Sequence, residues 1–63
     1  MIKLNSCSGY MGPVWINPDT IGFVRPSEHR SPGSDIYDRV GGFLAAVTES
    51  PTKISDLMRS KGL

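Results

Sequence analysis

Alternating apolar and polar residues mark the first part of the chain, as in strands that bury one face. Ile2–Leu4 follows this pattern and is predicted to be a short strand that ends in the Ser- and Gly-containing stretch 5–9. The second predicted strand is Tyr10–Ile16. Because Pro13 has no N–H to donate, this strand is expected to lie at an edge of the sheet or to bend there.

A turn is predicted at Asn17-Pro18-Asp19. Proline fixes φ near the value that the second turn position needs, and the asparagine before it can bond its own backbone. The alternation resumes as a third strand, Ile21–Arg25, which Pro26 ends. From this part of the chain we expect the core to contain Ile16, Ile21 and Phe23. A polar loop of nine residues, Pro26–Ser34, follows; loops this long are typically either functional or simply mobile.

A glycine pair marks the clearest predicted hairpin. Strands 35–40 and 43–48 flank Gly41-Gly42, and both residues of a type I′ turn need a positive φ, which glycine adopts without strain. This turn would place three pairs on the face toward the helix: Val40 opposite Phe43, Asp38 opposite Ala45, and Ile36 opposite Val47. The charged member, Asp38, is expected at the open edge of the sheet, with a ligand or partner contact as the alternative.

The end of the chain predicts a helix. Ser50 is a suitable N-cap, and Pro51 suits the first helical position, where its missing N–H is not needed. Gly62 is suited to the position just past the end. One apolar stripe results from spacings of three and four, formed by Ile54, Leu57 and Met58.

Together these elements predict an α+β fold, a small antiparallel sheet of four to five strands with one C-terminal helix packed on one face. The 63 residues are expected to form a single domain, 1–63, and chains this short usually need a disulfide, a metal or a partner chain for stability. A single cysteine, Cys7, excludes an internal disulfide, and with the single histidine, His29, it cannot supply four zinc ligands. A homo-oligomer is therefore expected.

Composition and charge narrow the partners. With 38% hydrophobic and 21% charged residues the chain is expected to be folded and soluble. A formal net charge of +1 lacks the positive excess of a dedicated nucleic-acid binder. No apolar run approaches the ~18 residues of a membrane span, and the N-terminus lacks a signal-peptide apolar region. With an unpaired thiol as well, we expect a cytoplasmic protein with no membrane partner.

Catalytic signatures are missing from the sequence. Cys7 and His29 are the only residues that could pair as a thiol nucleophile and base, and their surroundings match no cysteine-hydrolase signature. The carboxylates show no metal-loop spacing. We therefore expect a protein that is not an enzyme and that holds no cofactor or metal.

Binding chemistry is better represented. Guanidinium groups bind phosphate in bidentate fashion, and aromatic rings stack on bases, so an anionic, nucleotide-like ligand is the class these residues suit. The candidate ligand-binding residues are Arg25, Arg30, Arg39, Trp15, Tyr37 and His29. All but Tyr37 have an alternative: Trp15 in the core or a subunit interface, and the arginines and His29 as solvated surface.

Several short motifs resemble the flagellar FlbD or swarming-motility family, tiny bacterial proteins of strands followed by one helix. The similar segments are 1–4, 16–21, the glycine pair 41–42, and 47–54. The chain departs from the family pattern at 27–34, which looks like an insertion, and in a shorter, less charged helix tail. The resemblance implies a similar fold and no catalytic residues to carry over.

Two functions follow as hypotheses. The first is a non-enzymatic oligomeric sponge that sequesters a nucleotide-like signal in pockets between subunits, by analogy of size with phage-encoded antagonists of bacterial immune signalling. The second is an FlbD-like protein-binding adaptor or regulator that acts through a sheet edge or the exposed face of the hairpin.

Overall fold

A five-stranded antiparallel sheet with one helix packed against it forms the protein, which confirms the predicted α+β class. The computed structural model describes residues 1–8 and 10–60. The strands lie in the order β2-β1-β5-β4-β3. Along the chain the elements are β1 (Ile2–Ser8), β2 (Tyr10–Ile16), a 3₁₀ turn (Pro18–Thr20), β3 (Ile21–Pro26), β4 (Ser34–Asp38), β5 (Phe43–Val47) and α1 (Pro51–Ser60).

The first hairpin pairs β1 with β2 over its whole length, from Ile2 opposite Ile16 to Ser8 opposite Tyr10. Strand β1 continues four residues beyond its predicted end at Leu4, because the alternation of burial persists through a small buried serine, Ser6. Strand β2 has the predicted bounds and lies at one edge of the sheet, as its proline indicated.

Among the described residues, β1 pairs with β5 at Ser6 opposite Val47, and beside this pair the Thr48 N–H donates to the Asn5 carbonyl at 2.9 Å. If the sheet were flat, Ile16 and Leu44 would stand seven residues apart along the strand direction, about 23 Å at ~3.3 Å per residue. Both residues nevertheless line one groove. The sheet is therefore strongly curled, and the first hairpin bends over the other three strands to enclose the core.

The corner between β2 and β3 has the predicted turn chemistry. The side chain of Asn17 accepts a hydrogen bond from the Asp19 backbone N–H at 3.0 Å, and the Thr20 N–H donates to the Asn17 carbonyl at 3.0 Å. After this corner the register of β3 on β4 shifts between Ile21 and Phe23. Ile21 packs against the core, whereas Phe23 is 46% exposed on the opposite face, so its predicted core position is wrong.

The second hairpin forms where predicted, but its register is wrong by two residues. The observed pairs are Ser34 with Val47 and Ile36 with Ala45, followed by a bulge that sets Tyr37 opposite Phe43. Four residues, 39–42, connect the strands instead of two. Val40 is 93% exposed and lies outside the sheet, and Phe43 joins the face away from the helix.

Asp38 explains the longer connection. Its Oδ1 accepts hydrogen bonds from the N–H groups of Val40 at 3.0 Å and Gly42 at 2.7 Å, so the carboxylate closes the turn itself. Strand β4 lies between β3 and β5, with Ile21 opposite Asp38, so the predicted position at an open edge is wrong. A local turn bond satisfies this charge.

The helix begins as predicted, with the Ser50 hydroxyl accepting from the Lys53 N–H at 3.2 Å. Ile54 is buried, and Leu57 and Met58 pack against the core, which confirms the predicted stripe. The predicted C-terminal Gly62 lies outside the described residues. Among the side chains that the structure describes, the fully buried apolar ones are all aliphatic: Ile2, Leu4, Ile36, Val47 and Ile54.

Candidate functional site

Aromatic side chains lie outside the core in the part of the chain that the structure describes. Phe23 and Tyr37 stack with ring centroids 4.8 Å apart, and Tyr37 meets Phe43 edge to face at 5.8 Å. Phe43 and its neighbour Leu44 are both exposed at the start of β5, where the bulge places Phe43 on the face away from the helix. We call Phe23, Tyr37, Phe43 and Leu44 the aromatic band.

An open groove lies beside one end of this band, with a volume of about 300 Å³. Its lining residues are Val14, Trp15, Ile16, Asn17, Thr20, Leu44 and Ala45. Half-buried aliphatic side chains line one part of the groove, and the exposed side chains of Trp15 and Leu44 line another. We call it the Trp15 groove. Mainly apolar clefts of this size with a few polar groups are typical small-molecule sites.

Positive charge approaches this groove from two sides. Lys3 on β1 is paired with Trp15 on β2, and its ammonium lies 5.8 Å from the centroid of the Trp15 ring. The Arg39 Nε donates a hydrogen bond to the Asp19 carbonyl at 3.0 Å, directly before the groove residue Thr20. The hairpin connection therefore holds a guanidinium beside the β2–β3 corner.

The predicted ligand-binding residues do not form one cluster. Trp15 and Arg39 belong to the groove region, as described. Arg25 and Tyr37 lie on the sheet face that carries the aromatic band. Phe23 is opposite Tyr37 and Arg25 is opposite Asp35, and because the two pairs are two residues apart along the strands, their side chains are on the same face. Arg25 also lies 4.0 Å from Glu28 in an exposed ion pair.

The other two predicted residues, His29 and Arg30, lie in the exposed connection 27–33. The N–H of His29 donates to the Ser27 hydroxyl at 3.2 Å, which is a local turn contact. The stem of Arg30 lies over Gly33, where an added Cβ would be 3.2 Å from the arginine Cγ. These contacts give the two residues roles within the loop and place neither against the groove or the band.

Strand order keeps the only thiol apart from the only imidazole. Cys7 lies on β1, and the connection that carries His29 follows β3, with β5 and β4 between the two strands. Among the described residues no group of three or more His, Cys, Asp or Glu side chains could hold a metal ion. None of the helices in that part of the chain has the length and apolar character to cross a membrane.

Sequence reasoning missed four groove contributors, Lys3, Asn17, Thr20 and Leu44. Asn17 and Thr20 were assigned to turn chemistry, and they do make those turn bonds while also lining the groove. Leu44 was placed by alternation on the face away from the helix, but nothing in a single strand indicates that this face meets Trp15 across the sheet. Lys3 could have been found by extending the first strand, since a hairpin with Tyr10–Ile16 sets it opposite Trp15.

Comparison with known proteins gives no relative. No protein-family model, curated protein or solved structure matches this chain.

Proposed function

We propose that the protein is a non-enzymatic small-molecule-binding protein that sequesters a nucleotide-like anion, in the manner of an immune-signal sponge. The observation that carries this proposal is the Trp15 groove, an apolar cleft with an exposed indole and with Lys3 and Arg39 beside it. Planar bases and phosphates are the two halves of a nucleotide, and the groove offers chemistry suited to each half.

The base would lie in the groove. A volume of about 300 Å³ is at the lower end of ordinary ligand sites, which suits a mononucleotide-sized molecule better than a polymer. Stacking of a base on an aromatic ring is worth about 1–3 kcal/mol, and Trp15 supplies that ring. The Thr20 hydroxyl already donates to the Asn17 carbonyl at 2.7 Å, so its oxygen is oriented to accept a hydrogen bond from a base.

The phosphate would bind Arg39. The Asp19 carbonyl engages Nε, which fixes the guanidinium plane and leaves the two terminal nitrogens for an anion. Paired N–H donors of this kind bind phosphate oxygens in bidentate fashion. Arg39 is exposed before binding, so a phosphate gains a partner without breaking an existing ion pair.

Enclosure of the ligand requires a second subunit, because the groove is open on its outer side. Trp15 is 60% exposed and Leu44 is 40% exposed, and a bound base would remain partly in water on a single chain. A neighbouring copy placed over these side chains would bury the base, which is how a chain of this size can form a sequestering pocket.

The test uses the single tryptophan as its own reporter. Trp15 fluorescence is titrated with AMP, cyclic nucleotides and ADP-ribose, and calorimetry confirms any hit. We expect at least one member to quench the indole and to saturate. Arg39→Gln should weaken binding at least about tenfold, as expected for loss of a charged hydrogen bond, while Arg59→Gln, an exposed arginine on α1, should leave it unchanged. If no member of the panel binds saturably, the proposal is contradicted.

The alternative function is an FlbD-like adaptor that binds a protein strand at a sheet edge. Such pairing needs free N–H groups along the edge. At the β2 edge, the N–H of Asn5 donates to Glu49 and its carbonyl accepts from Thr48, so both groups point away from β2. Asn5 and Pro13 therefore form a non-hydrogen-bonded pair, and the Pro13 nitrogen faces the free edge of the sheet.

The β3 edge has the same feature. The Ser27 N–H donates to the Gly33 carbonyl at 3.0 Å, so the next pair, Pro26 with Ser34, is the non-hydrogen-bonded one and the Pro26 nitrogen faces outward. A proline at the outward positions of both edge strands disfavours strand addition, which favours the small-molecule proposal. A folded protein that binds no nucleotide would return the adaptor to first place.

A further inference from the structure

We propose that a second copy of this chain docks on the aromatic band, face to face across a two-fold axis. This dimer deepens the proposed function, because it names the surface that brings the subunits together. Its role in enclosing a ligand rests on the proposed function. The dimer itself is inferred from observations that do not involve a ligand: an aromatic face outside an aliphatic core, the area of that face, the charges beside it, and the outward-facing prolines at both sheet edges.

The first observation is the inversion of ordinary packing. Aromatic residues usually dominate small cores because each buries about 150–250 Å². Here the described core contains only aliphatic side chains, while Phe43 is 56% exposed and Phe23 is nearly half exposed. Aromatic residues are enriched at the centres of protein interfaces, so this distribution is typical of a face that is covered in the assembled protein.

The second observation is the area of the face. The exposed fractions of Phe23, Phe43 and Leu44 leave roughly 300 Å² of apolar surface on the band, which is the size of the largest apolar patch of a typical monomer, and such a patch is often functional. The adjoining polar pair, Arg25 and Asp35, brings the surface to about 500 Å² per copy. Two copies that cover each other's band and this pair would bury on the order of 1,000 Å² in total, which is the lower limit of a specific interface and the size class of weak, transient complexes.

The third observation is the distribution of charge around the band. Arg25 and Asp35 are opposite each other on β3 and β4, on the same face as the band. A two-fold axis through the band lets the Arg25 of each copy approach the Asp35 of the other, because an isologous interface repeats every contact twice. A net charge of only +1 per chain adds little repulsion between the copies.

A second copy is favoured over a foreign strand for the reason given above, since prolines face outward at both sheet edges. It is also favoured by stability. A single core in a chain below about 70 residues rarely contributes more than about 3–5 kcal/mol, and here five side chains form its fully buried part. Burial of the band would add apolar surface that the monomer leaves in water.

The test is the molar mass of the purified chain by sedimentation equilibrium between about 1 and 500 µM, a range that covers weak dimers. We expect a monomer–dimer equilibrium. Phe43→Ser, which removes the most exposed ring of the band, should raise the dissociation constant at least about tenfold. Val40→Ser is the matched control, since Val40 is equally apolar and more exposed but lies off the band, and it should leave the equilibrium unchanged. Circular dichroism checks that both variants fold.

Three results would overturn the inference: a monomer at every concentration, a dimer that Phe43→Ser leaves intact, or a dimer that Val40→Ser weakens as much. Phe23→Ser provides a second variant in case Phe43→Ser does not fold, and the same dissociation is expected. The two proposals separate cleanly. A monomer whose Trp15 fluorescence still responds to a nucleotide contradicts the dimer, and with it the enclosure by a second subunit, but supports nucleotide binding by the groove. A dimer that binds no nucleotide contradicts the proposed function and leaves the dimer standing.

Discussion

Replacing Glu49 tests how the first hairpin is held to the rest of the sheet. In the described part of the chain β1 meets β5 at one residue pair, and the Glu49 carboxylate, in the middle of the β5–α1 connection, strengthens this junction. Its two oxygens accept from the Asn5 N–H at 3.0 and 3.1 Å, and one of them also accepts from the Asn5 side-chain amide at 2.8 Å. Glu49→Gln keeps the shape and replaces one accepting oxygen with an N–H₂ group.

The magnitude follows from these contacts. A hydrogen bond to a charged group contributes about 1.5–3 kcal/mol, and because Asn5 is exposed the lower end of that range applies. Loss of the charge and of one acceptor should therefore lower the free energy of unfolding by about 1.5–2 kcal/mol. For a domain of this size each kcal/mol shifts the melting temperature by about 4–8 °C, so a decrease of roughly 6–16 °C is expected.

The assay is thermal denaturation followed by circular dichroism, at one fixed protein concentration because self-association makes the midpoint concentration-dependent. Glu28→Gln is the control. Glu28 is also a glutamate, but it contacts only Arg25 at 4.0 Å in an exposed pair, and such pairs contribute about 0–1 kcal/mol. If both variants melt within about 2 °C of each other, the claim that Glu49 fastens the first hairpin is refuted.

Two further substitutions test the packing. Gly22→Ala would push a Cβ into the Asp38 carbonyl and to 2.6 Å from the Arg39 Cα, both backbone groups, so β3 must move off β4; we expect a loss of at least about 1–3 kcal/mol in chemical denaturation, and a stability equal to wild type would contradict the close approach. Ile54→Ala removes the buried side chain that anchors α1 and should cost about 2–5 kcal/mol, enough to unfold much of the protein at 37 °C, whereas Thr52→Ala on the exposed side of the helix should change little.

Local sequence signals were enough to predict the helix and the second strand. The helix needed only a cap, a proline and a stripe, and Ser50, Pro51 and Ile54 supply these at the predicted positions. The bounds of β2 and its edge position followed from alternation and from Pro13. In each case the determining contacts lie within a few residues of one another along the chain.

The register of the second hairpin could not be predicted in this way. The glycine pair indicated a two-residue turn, but the Asp38 carboxylate reaches two N–H groups ahead of it and stabilises a longer connection. This choice, together with the bulge at Tyr37, moves Phe43 from the helix face to the opposite face. Propensity gives no sign of such a competition between a side-chain turn bond and a glycine turn.

The candidate site was predicted only in part for the same reason. Trp15 and Arg39 were recognised as residues suited to a nucleotide, but they are 24 positions apart, and the pairing of β3 with β4, which sets Ile21 opposite Asp38, brings the hairpin connection to the β2–β3 corner. The aromatic band depends on the bulges in β3–β4 and β4–β5. Both features are products of long-range register, which alternation in a single strand does not encode.

The most direct measurement is native mass spectrometry of the protein purified gently from a cell extract, followed by denaturing release of any small molecule. The account predicts a complex with the mass of two chains and a stoichiometric nucleotide-like anion, whose mass identifies it on release. Chains that carry no small molecule, even after incubation with cyclic nucleotides and ADP-ribose derivatives, would contradict the proposed function and leave a protein partner as the function to pursue.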